Sequence, residues 1–176
     1  MAVDDFLVWA EAQEGRWELH DGVAKRITPE RHAHVRTKSD ASLALRFAAR
    51  RAGCDCEIFG SGPGVQVDER TVYSPDGAIV CGPKQPDDAI LLVNLIGVVE
   101  VLSPDTAAID HGRKLSGYFS LPSLEHYLIL DPDRRVAIHH KRGQGDAIET
   151  RVLTGGLARL DPPGFEVAVE ALFPAL

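Results

Sequence analysis

The sequence is poor in several things, and each shortage removes a class of protein. It carries only three cysteines, Cys54, Cys56 and Cys81. That is an odd set, and Cys54-Asp55-Cys56 is too closely spaced for an easy bridge, so reduced thiols in a reducing compartment are expected. No cluster has zinc-finger spacing. No apolar run reaches the length that spans a bilayer, and Met1 to Ala10 lacks a basic region followed by a long apolar one. The expectation is therefore a soluble, cytoplasmic protein with no membrane partner. Internal repeats and low-complexity segments are absent. Net positive charge is absent too: the formal charge is −7, which argues against a broadly basic nucleic-acid binder.

What is present is enough for a core. At 176 residues and 44% apolar, the chain fits one compact α/β domain, residues 1–176. Its charge is unevenly spread. Between Lys25 and Arg51 stand eight Lys and Arg against Glu30 and Asp40, a segment of +6 that leaves −13 for the remainder. Such a run is either a solvated helix face or a phosphate-facing patch whose binding depends strongly on salt.

The pattern predicts a short entry helix over Asp4 to Gln13. A hairpin follows, Trp17 to His20 turning at Asp21-Gly22 into Val23 to Ile27. A long helix from about Arg31 to Ala52 rests on Ala41, Leu45, Ala48, Ala49 and Ala52, and Gly53 ends it. Extended backwards, that stripe reaches Lys38 and His34, which either emerge into solvent or face a cleft. Cys56 to Phe59, Gly64 to Asp68 and Ala78 to Cys81 read as strands of a meander. Asp105 to Leu121 reads as a helix with Asp110, Lys114 and Tyr118 on one face. Tyr127 to Leu130, Val136 to Ile138, Glu149 to Leu153 and Phe165 to Val167 complete the strands, with Leu172 and Phe173 docking at the end.

One residue resists an ordinary explanation. Val98, Val99, Val101 and Leu102 form a buried strand closed by Ser103-Pro104, and Glu100 lies inside it. An unpaired buried carboxylate is costly, so Glu100 needs a partner or a metal. Asp76, at the start of the preceding apolar run, and Glu100 can bring two carboxylates to one point of a sheet, the oxygen ligands that suit Mg²⁺ or Mn²⁺. Lys114, the only lysine between Lys84 and Lys141, is the candidate amine by elimination. The plainer alternatives stay open at this point. Asp76 can be a turn residue after Pro75, Asp110 and Lys114 an exposed i,i+4 pair, and Glu18 the wet side of an edge strand.

Pro75-Asp76, Val98-Val99-Glu100-Val101-Leu102-Ser103-Pro104, Asp110-x-x-x-Lys114-x-x-x-Tyr118 and His126 to Pro132 together resemble the bacterial putative restriction endonuclease family, formerly a domain of unknown function. That family lies within the PD-(D/E)XK nuclease superfamily. Trp17-Glu18-Leu19-x-Asp21-Gly22 and the helix after it are also similar. The resemblance implies an α/β fold, a restriction-endonuclease-like core in which a central mixed β-sheet is flanked by helices. It implies Asp76 and Glu100 as ligands of Mg²⁺ (or Mn²⁺), with the backbone carbonyl of Val101, and a DNA phosphodiester as substrate. Leu102 departs from the pattern, standing where the superfamily has its lysine, and the family's lysine on the following helix points to Lys114. Glu18, His34, Lys38 and Tyr118 are accessory candidates. A homodimer or higher homo-oligomer is expected of a nuclease acting on both strands of a duplex. The rival readings are a catalytically inactive binding or interaction module and a structural dimer that keeps the fold.

Overall fold

The computed structural model describes residues 1–103 and 110–175, with the backbone alone at Asp110 and His111. The start of the helix expected from Asp105 therefore lies outside the described residues. In chain order the elements are α1 (Val3–Glu11), β1 (Trp17–His20), β2 (Val23–Arg26), α2 (His32–Arg51), β3 (Cys56–Gly60), β4 (Val65–Asp68), β5 (Thr71–Tyr73), β6 (Gly77–Cys81) and β7 (Leu95–Val101). A π-helical turn (Asp110–Lys114) then runs into α3 (Leu115–Phe119), followed by β8 (His126–Asp131), β9 (Val136–Arg142), β10 (Ile148–Leu153), β11 (Leu157–Leu160), β12 (Phe165–Ala168) and a final 3₁₀ turn (Val169–Leu172).

The central sheet has six strands in the order β10-β9-β8-β7-β6-β3. It is mixed: β7 and β8 run parallel, and the remaining neighbours are antiparallel. Parallel neighbours need a crossover, and the chain between β7 and β8 supplies it with α3. The near-continuous apolar runs of β7 and β8 follow from burial on both faces. On one face, Val99, Val101, Leu128 and Leu130 pack against Ala41, Leu45 and Ala49 of α2, and against the β11–β12 hairpin with Leu172 and Phe173. On the other, Val98, Tyr127 and Ile129 pack against Tyr118 and Phe119 of α3. Each fully buried side chain of this size contributes about 1.5–3 kcal/mol relative to exposure.

The small alanines of α2 let it lie close on the sheet. The helix stops where Gly53 takes φ +70° and the Cys54 N–H turns back to the Ala49 carbonyl, a glycine C-cap. Of its expected stripe Ala41, Leu45 and Ala49 are buried, Ala48 is half-buried and Ala52 is exposed; at the N-terminal end His34 lines the cleft described below and Lys38 is buried against Asp76 behind it.

Two expectations are corrected. The strands after α2 do not form one meander. β3 pairs with β6, whereas β4 leaves for a second, four-stranded sheet of order β2-β1-β5-β4. The strand that makes this possible is β5, only three residues long and not marked by the sequence pattern. Its three residues are all buried, with Val72 in the small core of Val3, Phe6 and Leu19 and Tyr73 in the core beneath α3. Tertiary burial thus overrides a weak local signal. The thiols are not all reduced either: Cys56 and Cys81 face each other across the β3–β6 ladder and form a disulfide, and Cys54 is free. The close Cys54/Cys56 spacing is irrelevant to the bridge, because the partner of Cys56 comes from a different strand 25 residues on.

Candidate active site

The site begins where two strands part. The β6–β7 ladder ends at Gly77↔Val99, which sets Asp76 opposite Glu100 just beyond the last pair. With β6 gone, the Val101 N–H has lost a ladder carbonyl, and Asp76 Oδ2 accepts it at 2.7 Å. Leu102 meanwhile keeps the other neighbour, its N–H bonded to the Leu130 carbonyl. Both carboxylates line a cleft of about 310 Å³.

Each carboxylate is held by a lysine from a helical segment. Lys114 Nζ lies 2.9 Å from Glu100 Oε1 and 3.1 Å from Glu18 Oε1, so it bridges β7 and β1. Tyr118, one helical turn on, donates its hydroxyl to Glu100 Oε1 at 2.8 Å. Glu18 also accepts the Ser74 N–H at 2.8 Å and pairs with His20 Nε2 at 2.8 Å. α3 approaches this closely because residue 117 is glycine: a Cβ there would stand 2.9 Å from the Tyr73 ring. The second lysine, Lys38 of α2, places Nζ 2.5 Å from Asp76 Oδ1 and 2.6 Å from Glu30 Oε1. His34 Nε2 lies 3.3 Å from Asp76 Oδ2.

Electrostatics follow from these contacts. Burial on its own would raise the Glu18 carboxyl, but His20, Lys114 and the Ser74 N–H hold it at about 2. Burial opposes ionisation of Asp76 as well. His34, Lys38 and the Val101 N–H outweigh it and keep Asp76 below the usual carboxylate range. Burial and the neighbouring Glu100 push the Tyr118 hydroxyl well above its ordinary value, so it remains a donor.

The sequence-derived candidates Asp76, Glu100, Lys114, Glu18, His34, Lys38 and Tyr118 converge on this region. The plainer alternatives do not describe their positions. Asp76 is buried, Lys114 is buried between two carboxylates, and Glu18 sits on a strand flanked by β2 and β5 rather than on an edge. The Asp110 side chain lies outside the described residues. Sequence reasoning missed Glu30, His20 and Ser74. Glu30 was legible, since Glu30, His34 and Lys38 recur at i, i+4 and i+8. So was His20, two residues after Glu18 on the same strand face. Ser74 contributes only its backbone N–H, which no side-chain pattern marks. Leu102 lines the cleft and brings no amine.

The donor set fits a divalent cation. Asp76 and Glu100 offer hard carboxylate oxygens, and one ligand atom each from Glu30, His34 and Asp76 lie within 4.8 Å of one another. An ammonium already stands among the latter, so these residues accept positive charge at this spot. Arg16, Lys25, Arg26 and Arg31 line the same cleft, which puts part of the basic segment beside the carboxylates.

Known proteins share this family and fold. The profile of the Uma2 family, described as “Putative restriction endonuclease”, matches residues 3–172. The uncharacterized protein slr1290 of Synechocystis sp. is 27% identical over 180 residues, covering 100% of this chain and 93% of that relative. A crystal structure of a putative nuclease belonging to DUF820 from Anabaena variabilis superposes with a TM-score of 0.76 at 16% identity, covering 98% of this chain and 97% of that one. The likeness shows a shared nuclease-type fold.

Proposed function

This chain belongs to the Uma2 family of putative restriction endonucleases, and from that premise we propose that it is a divalent-metal-dependent endonuclease hydrolysing DNA phosphodiester bonds. The observation that carries the proposal is the meeting of Asp76 and Glu100 where β6 and β7 separate, in a cleft rimmed by Arg16, Lys25, Arg26 and Arg31. Asp76, Glu100 and the Val101 carbonyl would hold Mg²⁺ or Mn²⁺. A metal bound there supplies a water of lowered pKa and neutralises charge on a phosphoryl oxygen.

The other roles belong to the protein's own groups. Lys114, fixed between Glu18 and Glu100, presents a positive charge to the phosphoryl oxygens as charge develops on them. Tyr118 and Glu18 are positioning residues: one anchors Glu100, the other anchors Lys114. His34 and Lys38 orient Asp76. The arginines and Lys25 take phosphates of the flanking backbone, contacts that position DNA without reading its sequence.

A second reading has its own observation. Leu102 stands where the superfamily lysine is expected, and the Lys38 ammonium already neutralises Asp76 and Glu30. Both favour a DNA-binding module without turnover. The test is nicking of supercoiled plasmid, with Mg²⁺ or Mn²⁺, by the wild type and by the isosteric Asp76→Asn and Glu100→Gln variants. Metal-dependent nicking lost in both variants supports the nuclease. Plasmid retention by a well-folded wild type that never nicks supports the binding module.

A further inference from the structure

The two edges of the central sheet are not alike. At β3, the Arg46 guanidinium bonds the Ile58 carbonyl at 2.9 Å and α2 lies alongside, so that edge is covered. The opposite edge is β10, Ile148-Glu149-Thr150-Arg151-Val152-Leu153. Its first five residues are all exposed, Ile148 at 37% and Val152 at 65%, and its named sheet neighbour is β9 alone. Proteins normally blunt such an edge with proline, a bulge or charged side chains that repel a second copy. β10 has no proline and no register shift against β9, and its two charges are of opposite sign.

Those two charges are spaced so that the strand is complementary to itself. Set two copies of β10 antiparallel with Thr150 on the two-fold axis. Ile148 then faces Val152 of the partner subunit, Glu149 faces Arg151 of the partner subunit, and Thr150 faces the partner's Thr150. By the β9 register, Ile148, Thr150 and Val152 share the sheet face that carries Ile138 and His140, while Glu149 and Arg151 share the face of Lys141 and His139. Apolar pairs thus fall on one face and ion pairs on the other. Cross-strand pairs of these kinds are the ones that stabilise antiparallel ladders.

We propose that β10 is the self-association surface of this protein, pairing with the β10 of a second copy to join two six-stranded sheets into one. A two-fold axis requires the same patch on both subunits, and an edge whose pairing satisfies itself meets that requirement. The arrangement has a consequence for the cleft. β10 runs parallel to β7, so the antiparallel partner turns its own cleft toward the opposite end of the joined sheet. On the nuclease reading proposed above, the two clefts engage separate phosphate positions.

The test is sedimentation over a concentration series with the full chain, comparing wild type, Glu149→Arg, Arg151→Glu and the double swap Glu149→Arg/Arg151→Glu. A reversible monomer–dimer equilibrium is expected. Each single reversal sets like charges opposite one another at two symmetric positions and should weaken association about tenfold or more, and the double swap should restore it. Thr150→Cys should cross-link to itself on oxidation, since directly opposed Cα atoms on antiparallel strands fall in disulfide range, whereas the wild type with its free Cys54 should not. A concentration-independent monomer overturns the proposal. So does a dimer indifferent to both single reversals, or one that the double swap fails to restore. The outcome is independent of nuclease activity, because none of these residues lines the cleft that holds Asp76 and Glu100.

Discussion

Two lysine-centred clusters border the same cleft and differ in how they are closed. Around Lys114, Glu18 and Glu100 are 12% and 5% exposed, and contacts to them among the described residues include three fixed donors: the Tyr118 hydroxyl, the Ser74 N–H and the His20 ring. Around Lys38, Asp76 is comparably buried, but Glu30 is 24% exposed and sits ahead of α2 on the chain that leads into it. The first cluster is knitted by two strands, the residue that follows β5, the π-helical turn and α3. The second opens to solvent on one side. A charge sealed in protein is expensive to orphan, whereas a charge at an open rim can be solvated or exchanged when its partner leaves. On this physical ground the Lys114 cluster is the more rigid of the two and holds Glu100 in place at the cleft, and the Lys38 cluster is where a metal ion can displace the ammonium beside Asp76.

The sharpest way to break this comparison is to remove each lysine head group in turn. Lys114→Met leaves Glu18 and Glu100 buried without their shared cation and should cost about 3–5 kcal/mol in urea unfolding. Lys38→Met leaves Asp76 with His34 and the Val101 N–H, and lets Glu30 turn to water, so its cost should be roughly 1 kcal/mol. Equal costs would abolish the distinction between sealed and open.

Acid should probe the sealed cluster next. Glu18 is held at about 2 in the folded protein and returns to its ordinary value near 4.5 when unfolded. A depressed carboxyl contributes stability that is fully present above the unfolded value and is lost as pH falls toward the folded one. That contribution is about 3 kcal/mol at most, disappearing between pH ~4.5 and ~2. Asp76 shifts in the same direction, so its contribution also falls as the pH is lowered. Glu18→Gln should therefore flatten the acid limb of stability against pH without abolishing it. An unchanged slope would mean that the Lys114 network does not hold Glu18 ionised.

The legibility of these clusters in the sequence was uneven for physical reasons. Glu100 stood out because a carboxylate inside an apolar strand violates the burial pattern, and Lys114 because lysines are sparse around it. The long helix and the parallel β7–β8 pair carry strong periodicity or continuous apolar runs, and their elements were readable. β5 was not, since three residues are too few for a period and only the cores on either side define it. Nor were the pairings: which strand opposes β3 depends on contacts distant in sequence, and with that pairing came the Cys56–Cys81 disulfide. Glu30 precedes the helix itself, so only its spacing to His34 and Lys38 marks it.

Metal binding sharpens the comparison from the other side. At a hundredfold excess over its dissociation constant, a divalent ion stabilises the folded state by about 2.7 kcal/mol, or a rise of about 5–10 °C in Tm for a chain of this size. His34 beside two carboxylates suits a transition ion, so Mn²⁺ should give the larger shift and Mg²⁺ the smaller, and His34→Gln should bring the two together. Lys38→Met should bind either ion more tightly than the wild type because it removes the competing ammonium. A Lys38→Met protein whose Tm ignores both ions would show that this ammonium marks an ordinary ion pair.

The smallest effect concerns the open rim itself. Glu30→Gln removes one charge from a partly exposed pair, and Lys38 keeps Asp76 as a partner at 2.5 Å. Its cost should be only about 0.2–1 kcal/mol, below that of Glu18→Gln, measured as a shift in the urea midpoint at constant slope. The informative part is the contrast with metal. If Glu30 is a ligand in the exchangeable cluster, the Mn²⁺-induced rise in Tm should shrink in Glu30→Gln even though stability in the absence of metal hardly moves. A loss of stability as large as that of Glu18→Gln, with the Mn²⁺ response intact, would assign Glu30 to the same structural class as the sealed cluster and leave the two lysines physically alike.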